Sequence, residues 1–191
     1  MSKYKKQVII INGQGGCGKD TLMNAVAEKY NVVSISAIDK IKVAAETLGW
    51  NGSKDPKDRK FLADLKKLSD DYNGFTMTYI INKFILFISD IKGPNDILFI
   101  CIREPENIKI VSNLINEVLK VKIPGTSVAT LLIMRGEHKT YGNSADDSVD
   151  NYDYDYMFDN NAPLEESKEK FISFIENNIL VKNEEENNNG W

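Results

Sequence analysis

The residues best suited to chemistry lie in one short stretch near the start of the chain, INGQGGCGKDT. Its glycines have the spacing G-x-G-x-x-G of a dinucleotide-binding turn, and they also fit most of G-x-x-x-x-G-K-[ST], the P-loop pattern. In both patterns glycines let the backbone curl around phosphate, and amides at a helix N-terminus face the anion. The stretch therefore predicts a phosphate-binding loop. Its contact residues are predicted to be Gly13, Gly15, Gly16, Cys17, Gly18, Lys19, Asp20 and Thr21.

Lys19 separates the two interpretations of this loop. A P-loop needs an ammonium at that position to reach the β- and γ-phosphates, whereas a dinucleotide-binding turn does not require one. A nicotinamide-binding site also requires an acidic residue roughly 20 positions after the glycines. Asp39 does not exclude that reading, although it falls a few residues past the end of the second predicted strand. The sequence favours ATP as the nucleotide, with Lys19 as a catalytic residue.

Asp20 departs from the P-loop pattern, which has Ser or Thr at this position. In most P-loops that hydroxyl contacts Mg²⁺, and a carboxylate also suits such a hard cation. An acid in the first turn of a helix is favoured by the helix dipole as well. Beside an anionic phosphate, however, Asp20 would be repelled unless a metal lay between them. The sequence therefore predicts Mg²⁺ with Asp20 as a ligand, and Thr21 near the α-phosphate.

Only three of the 24 basic residues are arginines, namely Arg59, Arg103 and Arg135. The planar guanidinium is better suited than an ammonium to bidentate recognition of phosphate. Arg103 and Arg135 each end an apolar run, and both are predicted to be catalytic. Arg103 is also predicted to bind the acceptor, together with Arg59 and Asp39. A solvated helix face remains the alternative for the charges around Arg59.

The elements that must position these residues alternate between two periodicities. β-Branched and apolar runs predict strands at residues 7–12, 32–36, 97–102, 127–134 and 155–159. Helical spacing predicts helices at residues 19–30, 39–48, 57–72, 75–88, 106–119 and 164–179. Such alternation indicates an α/β fold with a mostly parallel sheet. Ligands then bind beyond the carboxyl ends of the strands, which is where the glycine loop and two of the arginines fall.

Bulk properties narrow the class of protein. A length of 191 residues suits one domain with a real core. A net charge of −4 argues against a general nucleic-acid binder. Cys17 and Cys101 have no C-x-x-C spacing, which suits a cytoplasmic protein. The longest apolar stretch, at residues 75–88, is too short to span a bilayer and is interpreted as a buried helix.

The glycine loop, written GQGGCGKDT, resembles the GKD variant of the P-loop in deoxynucleoside monophosphate kinases of phage type, a variant that phosphomevalonate kinases share. SISAIDKIKVAAETLGW is similar to the second strand and following helix of these adenylate-kinase-like P-loop kinases. IREPENI is similar to their loop after the third strand, and DYDYMFDNNAPLEE to their closing strand, turn and helix. The resemblance implies a three-layer α/β/α P-loop NTPase fold with a five-stranded sheet. It further implies one kinase domain at residues 1–180, an acceptor-binding helical insertion at about 38–92 and a lid at about 136–152, before a disordered tail at 181–191.

The activity that the resemblance implies is transfer of the γ-phosphoryl group of Mg-ATP to a nucleoside or deoxynucleoside monophosphate. Arg103 and Arg135 would clamp the acceptor and the donor. The lid stretch departs from the adenylate-kinase pattern, because it has Lys139 as its only full cation and is otherwise acidic. Kinases of phosphomevalonate, dephospho-coenzyme A or a modified DNA base, and a non-catalytic nucleotide-binding regulatory module, are the alternatives. The expected partners are small-molecule nucleotides, without nucleic acid or membrane, and the expected state is a monomer or homodimer.

Overall fold

Strands and helices alternate along the chain in a computed structural model that describes residues 5–53, 55–89, 96–136 and 148–180. The elements are β1 (Gln7–Asn12), α1 (Lys19–Ala27), β2 (Val32–Ser36), α2 (Asp39–Thr47), α3 (Pro56–Asn73), α4 (Phe75–Ser89), β3 (Ile97–Cys101), α5 (Pro105–Lys122), β4 (Ala129–Met134), β5 (Tyr156–Asp159) and α6 (Leu164–Asn178). Among the described helices, none has the length and apolarity that crossing a membrane would require.

The five strands form one sheet in the order β2-β3-β1-β4-β5. Every pairing is parallel, and β1 lies at the centre, with Ile9 opposite Phe99 of β3 and opposite Ala129 of β4. The predicted α/β class and the mostly parallel sheet are confirmed. Because the strands are parallel, their carboxyl ends meet at one edge. The loops after β1, β2, β3 and β4 therefore converge there.

Two apolar cores cover the two faces of the sheet. Side chains alternate along a strand, so Val8 and Ile10 of β1 point to one face and Ile9 and Ile11 to the other. The first core includes residues of α4 and α5, and the second includes residues of α1 and α6. This gives the three predicted layers. Full burial of each such side chain contributes about 1.5–3 kcal/mol, so the sheet is a rigid platform for its loops.

Local signals fix the ends of α3. The Asp55 side chain accepts a hydrogen bond from the Asp58 amide at 2.9 Å, and Pro56 occupies the first turn; both are favoured at a helix start. Gly74 ends the helix in the left-handed conformation at φ +65°. Since α4 begins at the next residue, the two helices are held as a pair beside the sheet.

The interpretation of residues 75–88 as a buried helix is wrong in part. The helix forms, as α4, but Ile85 and Leu86 are 45% and 65% exposed. Ile80, Phe84 and Phe87 on its other face are buried in the first core. The helix lies on the outer layer, so only one face meets the sheet and its neighbours while the other meets solvent.

Candidate functional site

The glycine loop follows β1 and turns directly into α1. Gly13 and Gly18 have positive φ of 144° and 94°. A Cβ on Gly13 would lie 2.4 Å from the backbone oxygen of Ile133, and one on Gly18 would lie 2.5 Å from Nδ2 of Asn160. Both positions therefore exclude a side chain by conformation and by space. The loop lies against β4 and the turn after β5, which fixes its shape.

Lys19 lies folded over this loop. Its Nζ donates to the backbone oxygens of Gly13 at 2.5 Å and of Gln14 at 3.4 Å, and it lies 3.5 Å from Sγ of Cys17. Carbonyl oxygens are neutral acceptors, and an anionic oxygen makes a stronger charge-assisted hydrogen bond with an ammonium. The Lys19 ammonium is thus placed where phosphate oxygens cradled by the loop would compete for it.

Asn160 supports the loop from the opposite side, and sequence reasoning missed it. Its side chain is 6% exposed and donates from Nδ2 to the Cys17 oxygen at 2.7 Å. Its backbone amide donates to the Met134 oxygen at 2.8 Å. Asn160 therefore joins the loop to the ends of β4 and β5. The available signal was the polar DNN run that follows an apolar strand.

Asn12 forms a second support, buried under the start of the loop with no exposed surface. Its Nδ2 donates to the Arg103 oxygen at 3.0 Å and to the Tyr154 hydroxyl at 2.7 Å. Its Oδ1 accepts from the Gly13 amide at 2.8 Å, and the Tyr154 hydroxyl donates to the Val149 oxygen at 2.8 Å. Sequence reasoning assigned no role to Asn12 or Tyr154.

Charged groups that follow three strands act on the ionisation of the Cys101 thiol at the end of β3. Burial raises the pKa of this thiol to about 12; Lys19 and Arg103 act to lower it, and Asp20 and Asp39 act to raise it further. Charge–charge interactions weaken with distance and with solvent screening. Because β2, β3 and β1 are adjacent parallel strands, the groups that follow them lie along the same edge of the sheet. The structure brings together these four residues, which the sequence had predicted separately.

Asp39 begins α2 and faces α4. Its Oδ2 accepts from the Ser36 amide at 2.7 Å and lies 3.5 Å from the Tyr79 hydroxyl. Burial, followed by the negative charge of Asp39, raises the pKa of Tyr79. Tyr79 was not singled out from the sequence. It brings α4 to the side of the sheet edge where the acceptor residues are predicted.

Arg135 lies on the other side of the phosphate loop. Its Nη1 would lie 3.9 Å from a Cβ on Gly18, and its side chain is exposed. A small pocket opens here between α1 and the turn after β5, lined by residues that include Gly18, Thr21, Leu22, Arg135, Asn160 and Ala162. Since β3 and β4 flank β1 in the sheet, Arg103 and Arg135 follow strands on opposite sides of the one that leads into the loop.

Lys66 joins α3 to the residue next to Arg103. Its Nζ lies 3.1 Å from Oδ2 of Asp70 and 3.1 Å from Oε1 of Glu104, and its side chain is 13% exposed. Burial acts to lower the pKa of Lys66, but the charge of Glu104 and hydrogen bonds to both carboxylates raise it above its usual value. Sequence reasoning assigned Lys66 to a solvated face. The structure instead makes it an anchor between the helix and the loop.

For the remaining predicted site residues the structure gives a position, and their roles stay predictions. Arg59 lies near the start of α3 and is partly buried, while Asp20 and Thr21 are exposed in the first turn of α1. The described residues contain no group of three or more His, Cys, Asp and Glu side chains that could hold a metal. Mg²⁺ is commonly held by one or two carboxylates together with substrate phosphates and waters. A single carboxylate at Asp20 beside a phosphate cradle fits that pattern.

Two predicted segments fall largely or wholly outside the described residues. Residues 137–147 of the lid predicted at about 136–152 lie outside the described residues, and so does the whole predicted tail at 181–191. Both stay predictions. The described end of the predicted lid contains a turn in which the Asn151 amide donates to the Ser148 oxygen at 3.0 Å. This turn leads to Tyr154, which contacts Asn12.

No protein-family model matches the chain, and no curated protein matches it. Among solved structures, a "putative kinase" from Chloroflexus aurantiacus is 14% identical, with a TM-score of 0.53 over 92% of this chain and 96% of that one. The tunicamycin resistance protein of Deinococcus radiodurans is 13% identical, with a TM-score of 0.49 over 93% and 100%. A sugar kinase from Janibacter sp. is 12% identical, with a TM-score of 0.48 over 90% and 95%.

At these identities the likeness shows the fold alone. The superposition with the Chloroflexus aurantiacus structure extends over nearly the whole of both chains. This chain has a glycine loop between its central strand and the first helix, within a five-stranded parallel sheet covered on both faces. It therefore has the three-layer α/β/α P-loop NTPase fold, and that prediction is confirmed.

Proposed function

We propose that the chain is an ATP-dependent phosphotransferase that moves the γ-phosphoryl group of Mg-ATP to a nucleoside or deoxynucleoside monophosphate. The observation that carries the proposal is that Asn12 joins the two predicted halves of the site. Its Oδ1 accepts from the Gly13 amide of the phosphate loop at 2.8 Å, and its Nδ2 donates to the Arg103 oxygen at 3.0 Å. This contact supports an arrangement in which donor and acceptor groups lie together at one edge of the sheet. The name of the Chloroflexus aurantiacus structure supports the kinase class, and the GKD loop supports the monophosphate acceptor.

The donor side needs charge neutralisation more than covalent chemistry. In phosphoryl transfer, positioning and electrostatic stabilisation supply nearly all of the catalysis. Lys19 would exchange its loop carbonyl partners for β- and γ-phosphate oxygens, and Arg135 would approach the donor from the far side of Gly18. Loop amides at the start of α1 would bind the same anion. When bound, ATP supplies the phosphoryl group that is transferred.

Asp20 would hold Mg²⁺ between its carboxylate and the phosphates. A cation held there would supply positive charge against the charge that develops on the phosphates. Asp20 lies in the first turn of α1, next to Lys19. A carboxylate at this position would be repelled by phosphate on its own, so its placement supports a cation between the two.

The acceptor side combines two arginines with Asp39. Arg103 lies at the end of β3, where its guanidinium would bind the acceptor phosphate in two-point fashion. Arg59 of α3 would add a second contact, and Asp39 would accept a hydrogen bond from the acceptor. A phosphate oxygen is already anionic, so the acceptor needs no general base to remove a proton.

A phosphoryl-transfer screen tests this proposal. The purified protein and Mg-ATP are incubated with each common ribonucleoside and deoxyribonucleoside monophosphate, and ADP formation is followed. Lys19→Ala is the loss-of-function variant. Lys109→Ala is the matched control, because Lys109 is an exposed lysine of α5, outside the predicted site.

ADP that depends on the acceptor and disappears in Lys19→Ala would support the proposal and name the preferred base. Lys109→Ala should keep the wild-type rate. If no monophosphate leads to ADP formation while ATP still binds, the proposal of a monophosphate acceptor is contradicted. The search would then move to other phosphorylated acceptors or to a regulatory role.

A further inference from the structure

A chain of three hydrogen bonds fixes the orientation of the buried Asn12 amide. The Tyr154 hydroxyl has one proton, which it donates to the Val149 oxygen at 2.8 Å. Its oxygen must therefore accept from Nδ2 of Asn12, 2.7 Å away. That leaves Oδ1 of Asn12 to accept from the Gly13 amide. Flipping the Asn12 amide would put its Nδ2 against the Gly13 amide and its Oδ1 against the oxygens of Tyr154 and Arg103, with the Tyr154 proton already given to Val149.

The same amide contacts both halves of the predicted site. Oδ1 of Asn12 holds Gly13, the first residue of the phosphate loop, while its Nδ2 holds the backbone oxygen of Arg103 at 3.0 Å. Donor and acceptor phosphates must lie in line and at a fixed separation for transfer, and a misplacement of about 1 Å can cost about a hundredfold in rate. One side chain thus bonds both to the start of the phosphate loop and to the Arg103 backbone.

We infer that Tyr154, acting through Asn12, is a positioning residue that holds the phosphate loop and the Arg103 loop at a fixed separation. Its catalytic consequence rests on the proposed function, whereas the positioning itself does not. Tyr154 is 7% exposed and lies beneath the loops, so it touches no substrate. The bonds it makes are local to the site, while its ring belongs to the first core.

A Tyr154→Phe variant separates the hydroxyl from the ring. Phenylalanine keeps the core packing and the edge-to-face contact with Tyr152, whose ring centre is 4.9 Å away. It removes the acceptor of one Asn12 proton and the donor to Val149. Tyr152→Phe is the matched control, because it deletes a neighbouring hydroxyl that is outside the Asn12 network. Asn12→Asp is a second variant of the same shape that has no proton to donate.

Two measurements decide the inference. The first is amide hydrogen exchange by NMR, which does not depend on turnover. In Tyr154→Phe we expect the Gly13 amide to exchange at least about tenfold faster relative to the Val26 amide in the core of α1, because local opening and global unfolding are separable. The second is steady-state kinetics with the best monophosphate. We expect kcat to fall about tenfold or more while the Kd for Mg-ATP changes less than about threefold.

The outcomes distinguish this inference from the proposed function. Unchanged Gly13 exchange in Tyr154→Phe, or an equal change in Tyr152→Phe, overturns the inference whatever the activity. Exchange that rises equally at Gly13 and Val26 reveals a general loss of stability and also overturns it. Faster Gly13 exchange in a protein whose wild type transfers no phosphoryl group supports the positioning and contradicts the proposed function alone. In Asn12→Asp, a Gly13 exchange rate and a kcat equal to those of the wild type would likewise overturn the inference.

Discussion

At the scale of single residues, Gly18 is the position of the phosphate loop where an added side chain would meet Asn160. Its φ of +94° is strained for any other residue, and an added Cβ would lie 2.5 Å from Nδ2 of Asn160. Gly18→Ala should therefore displace Asn160 from the Cys17 oxygen. Backbone strain costs about 1–2 kcal/mol, and losing a buried hydrogen bond adds about 1–3 kcal/mol. Urea unfolding measures the sum, and the affinity for Mg-ATP should fall with it.

Gly16→Ala is the control for that prediction. Gly16 has a similar φ of +82°, but a Cβ there would meet nothing within 4 Å. Only the strain of about 1–2 kcal/mol should appear. Equal losses in the two variants would show that the contact between Gly18 and Asn160 has no energetic role.

Because of Cys101, the free energy of unfolding should depend on pH in the alkaline range. The pKa of its thiol is raised by burial from an ordinary 9.0 to about 12. Below the lower value both folded and unfolded chains keep the proton. Between the two values only the folded chain keeps it, so the free energy of unfolding falls as pH rises, by up to ~1.4 kcal/mol per pH unit.

Urea unfolding at pH 8 and pH 10 checks this prediction in wild type and in Cys101→Ala. The wild type should lose about 1.4 kcal/mol more than the variant over this interval. Tyr154, whose pKa is also raised to about 12 by burial, remains in both proteins and cancels. Parallel losses in the two proteins would mean that the Cys101 thiol ionises normally in the folded state.

At the scale of elements, Lys66 joins α3 to the loop after β3, because its Nζ lies 3.1 Å from Oε1 of Glu104. Replacing it by Met leaves Asp70 and Glu104 partly buried without their cation, which should destabilise the fold by about 1–3 kcal/mol. Because Glu104 follows Arg103, the KM for the acceptor should also rise. Unfolding in urea and acceptor titration are the two measurements.

Lys60→Met tests whether that effect belongs to the position or to any lysine of α3. Lys60 also forms an i,i+4 ion pair, with Asp64 at 2.6 Å, but its side chain is 74% exposed. Exposed pairs contribute about 0–1 kcal/mol. A loss in Lys60→Met as large as that in Lys66→Met would refute the anchor.

Sequence patterns predicted the ends of strands and helices well where neighbouring residues in the chain determine those ends. The predictions at 7–12 and 32–36 match β1 and β2. The helix predicted at 19–30 ends earlier, at Ala27, because the Lys29 amide bonds to the Val26 oxygen in a tighter final turn. The strand predicted at 127–134 begins later, at Ala129, because the Val128 amide bonds to the Asn116 side chain instead of the sheet.

From the sequence, only the part of the site that lies within a single loop could be predicted. Glycine and lysine spacing indicated the phosphate loop because those residues are close in sequence. The partners that support the loop are far away along the chain: Tyr154 contacts Asn12, and Asn160 contacts Cys17. Such pairs depend on how β1, β4 and β5 are arranged, and no local periodicity encodes that order.

At the scale of the whole molecule, ligand binding at the loop should stabilise the entire domain. The loop joins β1 to α1 and is held by residues that follow β4 and β5. Mg-ATP at about 100 times its Kd should add about 2.7 kcal/mol. For a chain of this size that corresponds to a rise in Tm of about 5–11 °C.

Differential scanning fluorimetry measures this shift, with MgCl₂ alone as the reference. Lys19→Ala should lose most of the shift, because its ammonium is the principal cation within the loop. A full shift in Lys19→Ala would place the nucleotide elsewhere on the protein.

The central place of β1 has a consequence for how the chain is made. β1 is synthesised first, yet its two neighbours in the sheet, β3 and β4, come much later. A nascent chain emerging from the ribosome must therefore carry the apolar strand QVIIIN without either partner until β3 has been translated, and without the second partner until β4 has been translated. Such non-local pairing slows folding and leaves apolar strands open to aggregation. The arrangement that puts the phosphate loop in the middle of the sheet thereby makes early chaperone contact with β1 advantageous.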